Sequence, residues 1–166
     1  MRRAVDDFEE FARAHTPRLY RTAWLLAGDS HHAEDLVQET LGKLYRSWQR
    51  LRHVDNIPAY AHTVLTRTYI SQRRRRSWAE HPTAAIPDRA DRQGDPELRL
   101  SLQRALAELP PLDRAVLVLR FFEDRSVEQV ARDLGKNAGA VRTRTSRALN
   151  RLRTVLGEDA VHLAAL

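Results

Sequence analysis

The sequence has no cysteine, one methionine and only two lysines among its 28 cationic residues. Without cysteine the chain can form no disulfide, no thiolate nucleophile and no cysteine-containing zinc site. No apolar run approaches the roughly 20 residues that a membrane-spanning helix needs, and no signal-peptide core follows Met1. At 166 residues and 42% hydrophobic content, the chain is predicted to be a soluble, cytoplasmic protein with one domain or two small ones.

Positive charge is concentrated in two segments of the chain, whose formal net charge is +6. Residues 50–76 contain seven cations and one anion, and residues 136–153 contain six cations and no anion. The remaining segments are balanced or slightly acidic. Two separate basic blocks indicate a polyanion that the protein contacts at two places.

Strand signals are missing and helical periodicity occurs almost throughout, so the predicted fold class is all-α, with two small helical domains and a flexible linker. In the N-terminal domain we predict four helices: a short first one, a second with Thr16 as N-cap and Pro17 as first residue, a third from Asp29 or Ser30, and a fourth from Ala59.

Residues 77–95 contain two prolines, one glycine and a net negative charge without periodicity, which is typical of a linker. Pro96 and Glu97 then favour a helix start. Three further helices follow, about 112–122, from the capping-box sequence at Ser126 to Gly135, and from Asn137 onward. We therefore predict domains at 1–76 and 96–157 and a C-terminal tail at 158–166, whose apolar residues 161–166 fit either a packing segment or a protease-recognition tag.

The spacing of small and apolar residues over 127–142 predicts a DNA-binding helix-turn-helix. Ala131 allows the two helices to approach closely, Gly135 fits the tight turn, and Val141 anchors the second helix in the core. Short residues and arginines then point outward on the second helix, which suits insertion into a major groove. Arg144 and Arg151 lie at the flanks, where they suit phosphates.

A polar stripe on the third helix contains Asp35, Gln38, Glu39 and Gly42, at i, i+3, i+4 and i+7. Such a stripe is ordinarily a solvated face. The arginine-rich fourth helix does not fit a membrane surface, because its apolar residues are needed for the core.

Three motifs resemble bacterial sigma factors of the sigma-70 family. Residues 28–41 (GDSHHAEDLVQETL) resemble region 2.2, residues 56–60 (NIPAY) resemble the start of regions 2.3–2.4, and residues 109–153 resemble region 4. The pattern covers about 6–156 in the family's order. It is similar to the extracytoplasmic-function (group 4) type, and closest to a short actinobacterial SigE-like subgroup.

The resemblance implies partners and site residues. Core RNA polymerase would be contacted through its β′ clamp and β flap, and promoter DNA at two elements. The implied polymerase-binding residues are Asp35, Leu36, Gln38 and Glu39. The implied −10 residues are Asn56, Tyr60, Arg67, Arg73 and Arg74. The implied −35 residues are Ala140, Arg142, Thr143, Arg144, Ser146 and Arg147.

Two further implications concern specificity and the linker. The family usually has Asn at the position of Arg67, so Arg67 is expected to alter the −10 preference while strengthening backbone contact. The acidic linker is expected to thread toward the active cleft of the polymerase. The resemblance leaves open whether an anti-sigma factor is a further partner.

No reaction chemistry is indicated by the sequence. The glycines form no phosphate-binding loop, and the adjacent His31 and His32 project about 100° apart on a helix, which prevents joint chelation of a metal. We therefore expect no enzyme activity, no cofactor and no metal. The alternatives to a nucleoid-associated sigma factor are a stand-alone helix-turn-helix regulator and an interaction protein such as an anti-sigma decoy.

Overall fold

The computed structural model describes residues 2–77 and 96–157. The chain divides into two compact units, Met1–Ala84 and Ala85–Leu166, and the regular secondary structure of the described residues is entirely helical. The all-α, two-domain prediction is thus confirmed. The predicted linker beyond Ser77 and the predicted tail lie outside the described residues. Within the described ranges, no helix has the length and apolar content needed to cross a membrane.

The N-terminal unit contains three helices, α1 (Arg2–Ala27), α2 (Ser30–Leu51) and α3 (Ile57–Ser77). The predicted break at Thr16-Pro17 is wrong, because α1 is continuous through Pro17. A proline inside a helix removes one backbone hydrogen bond, but both halves of α1 are held by packing. Leu19 is fully buried, and the Phe11 ring lies 5.1 Å from that of Trp48 on α2.

The start of α2 follows the local capping signal. Gly28 has a positive φ of 92°, a conformation that glycine adopts readily. Asp29 is the N-cap, and its side chain accepts a hydrogen bond from the backbone N–H of His32 at 2.8 Å. The predicted helix start at this point is confirmed, and it sets which residues of α2 face outward.

Helix α3 packs against both α1 and α2 and is buried on most of its circumference. It begins at Ile57, earlier than the predicted Ala59, because the side-chain oxygen of Asn56 accepts the Ala59 N–H at 3.0 Å. Its core-facing hydroxyls bond backwards to the helix, as Thr66 does to the carbonyl of His62 at 2.9 Å. Only a narrow exposed strip remains.

The C-terminal unit contains α4 (Pro96–Ala107), α5 (Pro111–Leu117), α6 (Val127–Leu134) and α7 (Ala138–Leu156). These correspond to the four predicted helices. The second of them does not stay α-helical to its end, since Val118–Phe122 forms a π-helical turn. Such turns insert an extra residue into the helix, and here the turn leaves Phe121 53% exposed.

The helix-turn-helix is built from α6 and α7. Ser126 and Gln129 form the predicted capping box at the start of α6. Gly135 ends α6 with φ 62°, and Asn137 caps α7 by accepting the Ala140 N–H at 2.7 Å. The core beneath the motif contains Val116, Leu119, Val130, Ala131 and Val141.

Candidate nucleic-acid interface

The exposed side of α2 carries an acidic and polar surface, which we name the α2 stripe: Asp35, Gln38, Glu39 and Gly42. The Asp35 side chain is 49% exposed and lies 3.7 Å from the Nε2 atom of His31. A β-carbon built on Gly42 would meet no atom within 4 Å. The Gly42 end of the stripe is therefore open to a partner surface.

Leu36 does not belong to this surface. It is only 1% exposed and is one of the largest buried side chains of the unit. The prediction that Leu36 contacts polymerase directly is therefore corrected, since a residue one position from Asp35 is turned about 100° around the helix. Leu36 instead anchors α2 so that the stripe faces outward.

Glu39 joins the α2 stripe to α3. Its carboxylate accepts a hydrogen bond from Nε2 of Gln72 at 2.6 Å, and lies 3.2 Å from Lys43 Nζ and 3.4 Å from an Arg75 Nη atom. Lys43 also donates to Thr68 at 3.0 Å. This network fixes two candidate surfaces, the stripe on α2 and the arginines at the end of α3, against each other.

The hydrogen bond from Gln72 lowers the pKa of Glu39 below its ordinary value of 4.5, and although partial burial opposes this shift, Lys43 and Arg75 reinforce it. A carboxyl whose pKa is depressed by folding stabilises the protein above its unfolded pKa, and this contribution is lost as the pH falls through the folded pKa. The network should thus weaken only in acid.

We expect Glu39→Gln to destabilise the N-terminal unit at pH 6, and the difference from the parent chain to shrink steadily below about pH 4.5 as the parent carboxyl becomes protonated. Urea unfolding followed by tryptophan fluorescence measures this, because all three tryptophans precede residue 79. A stability difference that stays constant from pH 6 to pH 3 would contradict the network. The matched control is Glu10→Gln, which removes an exposed carboxylate from α1.

The exposed strip of α3 contains an aromatic residue and cations at helical spacing. Tyr60, Arg67, Ser71 and Arg74 are all exposed, and their spacing of i, i+7, i+11 and i+14 places them along one side of the helix. Arg73 is exposed nearby. Asn56 uses its side-chain oxygen in the helix cap, so its amide nitrogen is the group left for an outside acceptor.

The outward side of α7 presents the predicted combination of short and cationic residues. Arg142, Thr143, Ser146 and Arg147 are exposed, and Ala140 is half-buried. Val141 and Ala148 are buried against the rest of the unit. The face can therefore approach a base-pair edge closely while supplying guanidinium donors.

Arg144 lies on a different side of α7. Its guanidinium forms an ion pair with Asp113 of α5 at 2.6 Å, and the two side chains are only 30% and 13% exposed. The pair holds α7 on α5, and the contact of Arg144 with DNA stays a prediction. Breaking such a partly buried pair leaves a poorly solvated charge.

Two other carboxylate contacts were not predicted. Glu128 of α6 lies 3.2 Å from Arg142, and Asp133 pairs with Arg125 at 2.5 Å. The capping-box pattern predicts that residues 126–129 start a helix. It does not predict that the Glu128 side chain reaches the next helix. In the described ranges, no group of three or more His, Cys, Asp or Glu side chains is placed to hold a metal ion.

Two family descriptions match this chain in the expected order. The family "Sigma-70 region 2" matches residues 11–79, and the family "Sigma-70, region 4" matches residues 99–152. The first covers the α2 stripe and the exposed strip of α3, and the second runs from residue 99 within α4 to residue 152 within α7. Together they include all the candidate site residues.

Individual relatives agree with these matches. The ECF RNA polymerase sigma factor SigE of Mycolicibacterium smegmatis is 33% identical over 97% of this chain and 66% of its own length. The RNA polymerase sigma-E factor of Streptomyces coelicolor is 34% identical over 92% of this chain and 87% of its own.

A solved structure is also similar. The sigma factor RpoE of Bartonella quintana, crystallised with the anti-sigma factor NepR, matches with a TM-score of 0.76 and 29% identity, over 92% of this chain and 98% of RpoE. These matches favour a sigma factor over a stand-alone regulator or a decoy. The chain therefore belongs to the sigma-70 family, and is an RNA polymerase sigma factor of the extracytoplasmic-function type.

Proposed function

We propose that this chain binds core RNA polymerase through the α2 stripe and directs it to promoters whose −10 and −35 elements are read by α3 and α7. The observation that carries the proposal is the outward face of α7, where exposed arginines and short side chains occupy the second helix of a helix-turn-helix. A helix of this kind is suited to the major groove of duplex DNA.

The α2 stripe supports docking on a basic partner surface. Asp35 and Gln38 are exposed, and the space above Gly42 is open. Glu39 is one-third exposed and already carries neighbours on α3, so we assign Asp35 and Gln38 the direct contacts and Glu39 a supporting one. The docked surface is proposed to be the β′ clamp.

The exposed strip of α3 supports binding of the opened −10 strand. Tyr60 is 36% exposed, which leaves ring surface on which an unstacked base can stack, and Asn56 has amide donors for a base edge. Arg67, Arg73 and Arg74 are then placed to pair with phosphates. Because Arg67 occupies the centre of the strip, it is proposed to influence the preferred −10 sequence.

Joining two DNA readers in one chain raises the effective concentration of each at a promoter, provided that both elements can be engaged together. Neither reader then needs to bind tightly alone. The polymerase is proposed to supply the second means of attachment and all of the chemistry, with no catalytic activity or cofactor in this chain. Its place of action would be the cytoplasmic nucleoid, where both partners are found.

A protein partner that controls the chain is also proposed. The structural relative from Bartonella quintana was crystallised with the anti-sigma factor NepR, which supports a partner of that class here. Such a partner would compete with polymerase for the same surfaces.

The proposed function is tested by run-off transcription from genomic fragments with purified core polymerase. We expect discrete transcripts that require the chain, and a stable complex with core enzyme on size exclusion. The stand-alone regulator would instead bind palindromic duplex as a dimer without polymerase. Absence of both the complex and the transcripts would overturn the proposal.

A further inference from the structure

An ion pair crosses from α6 to the outward face of α7. The Oε1 atom of Glu128 lies 3.2 Å from an Nη nitrogen of Arg142, and the two side chains are 58% and 62% exposed. Exposed pairs of this kind contribute little to stability, because water screens them and two long side chains lose freedom. The contribution of this pair to the stability of the unit is therefore small.

The position of the pair suggests a role in DNA recognition. Arg142 belongs to the exposed face of α7, the second helix of the helix-turn-helix. The segment 136–153 has no acidic residue of its own. Glu128 lies in the first turn of α6, two residues after the Ser126 cap. It thus places a carboxylate beside an arginine that faces outward, at the edge of a surface otherwise suited to phosphates.

The contact leaves most of the guanidinium available. An arginine side chain carries five N–H donors in a planar fork. The hydrogen bond to Glu128 is donated by Nη2 alone. The remaining donors can meet the O6 and N7 acceptors of a guanine. A guanidinium already held in one orientation loses less freedom when it forms those bonds.

The Glu128 carboxylate is also expected to lower the affinity of the chain for DNA. Near DNA it is repelled by phosphates, so it lowers affinity for every sequence by a similar factor. A group that weakens all binding but orients one base contact increases the difference between the right base pair and the wrong ones.

We propose that Glu128 is a positioning residue for −35 recognition, which orients Arg142 toward a guanine and sharpens selection at that base pair. This inference rests on the proposed function, since it requires α7 to read duplex DNA. Arg142 makes the base contact, and Glu128 acts through it.

The test uses holoenzyme assembled from the full chain and core polymerase, with a promoter pool randomised across the −35 element. Bound DNA is sequenced for the parent, Glu128→Gln, Arg142→Ala and the double variant. Glutamine keeps the side-chain length but not the charge. Glu108→Gln is the matched control, because Glu108 is an exposed carboxylate of the same unit outside α6 and α7.

We expect Glu128→Gln to retain or increase total binding while its preference at one base pair falls about two- to fivefold. Arg142→Ala should lose preference at the same position, and adding Glu128→Gln to it should change that position no further. The Glu108→Gln profile should match that of the parent.

Three outcomes would overturn the inference. Increased binding with an unchanged profile would make Glu128 merely repulsive, and an unchanged profile with unchanged binding would make the pair irrelevant. A loss of preference that persists in the Arg142→Ala background would mean that Glu128 reads a base by itself. Failure of the parent holoenzyme to select any −35 sequence would instead count against the proposed function.

Discussion

Replacing Asp35 with arginine is expected to abolish assembly of the chain with core RNA polymerase. Asp35 is half-exposed at the N-terminal end of the α2 stripe, so its charge can meet a basic partner directly. Reversal of that charge places two cations together, which costs several kcal/mol. We expect the dissociation constant to rise at least about a hundredfold, as measured by titrating core enzyme against a fluorescently labelled chain.

The substitution should leave the fold intact. Among the residues that the structure describes, Asp35 pairs with His31, whose side chain is 80% exposed, so the loss of this pair should change stability little. Circular dichroism and thermal unfolding check this point.

The matched control for Asp35→Arg is Glu10→Arg, which makes the same charge change on an exposed position of α1. It should bind core enzyme like the parent chain. Equal binding by Asp35→Arg and Glu10→Arg would remove Asp35, and with it the α2 stripe, from the docking surface.

Replacing Arg147 with alanine is expected to weaken promoter binding at a single −35 base pair. Arg147 is exposed on the same side of α7 as Thr143 and Ser146, and a bidentate arginine–guanine contact contributes about 1–3 kcal/mol of discrimination. The truncation should therefore reduce transcription from the preferred promoter and flatten the preference at that position. Run-off assays on a series of −35 substitutions measure both effects.

Arg104→Ala is the control for Arg147→Ala. Arg104 is exposed on α4, outside the helix-turn-helix, so its removal changes the net charge equally without touching the proposed reading face. If Arg147→Ala and Arg104→Ala lower binding by the same factor on every promoter, the role of Arg147 is electrostatic and sequence-independent.

Local signals in the sequence were sufficient to place most helix ends. The caps at Asp29, Ser126 and Asn137 and the left-handed Gly135 are all as expected, because a cap depends on only a few consecutive residues. The predicted break at Pro17 was wrong because continuity of a helix through a proline depends on residues that are distant in sequence. A proline disfavours a helix locally, but the contacts that keep α1 continuous come from another helix.

For the candidate site, too, the sequence predicts what depends on neighbouring residues and misses what depends on distant ones. A step of 100° per residue correctly predicted that Arg142 and Arg147 face outward, since exposure follows from periodicity. The same reasoning could not reveal that Gln72 reaches Glu39 or that Asp113 holds Arg144, because these partners are 33 and 31 residues apart in sequence. Leu36 shows that a motif can include both core and surface residues.

With α3 in its proposed role in −10 recognition, the burial of this helix limits how a sigma factor of this kind can acquire new target genes. Between Ala61 and Tyr69, Arg67 is the one exposed residue, and seven of the nine are buried. Most substitutions there would disturb packing before they altered a base contact. Divergence of −10 preference among related chains should therefore concentrate at Arg67 and at the two ends of the helix, where change carries little risk to folding.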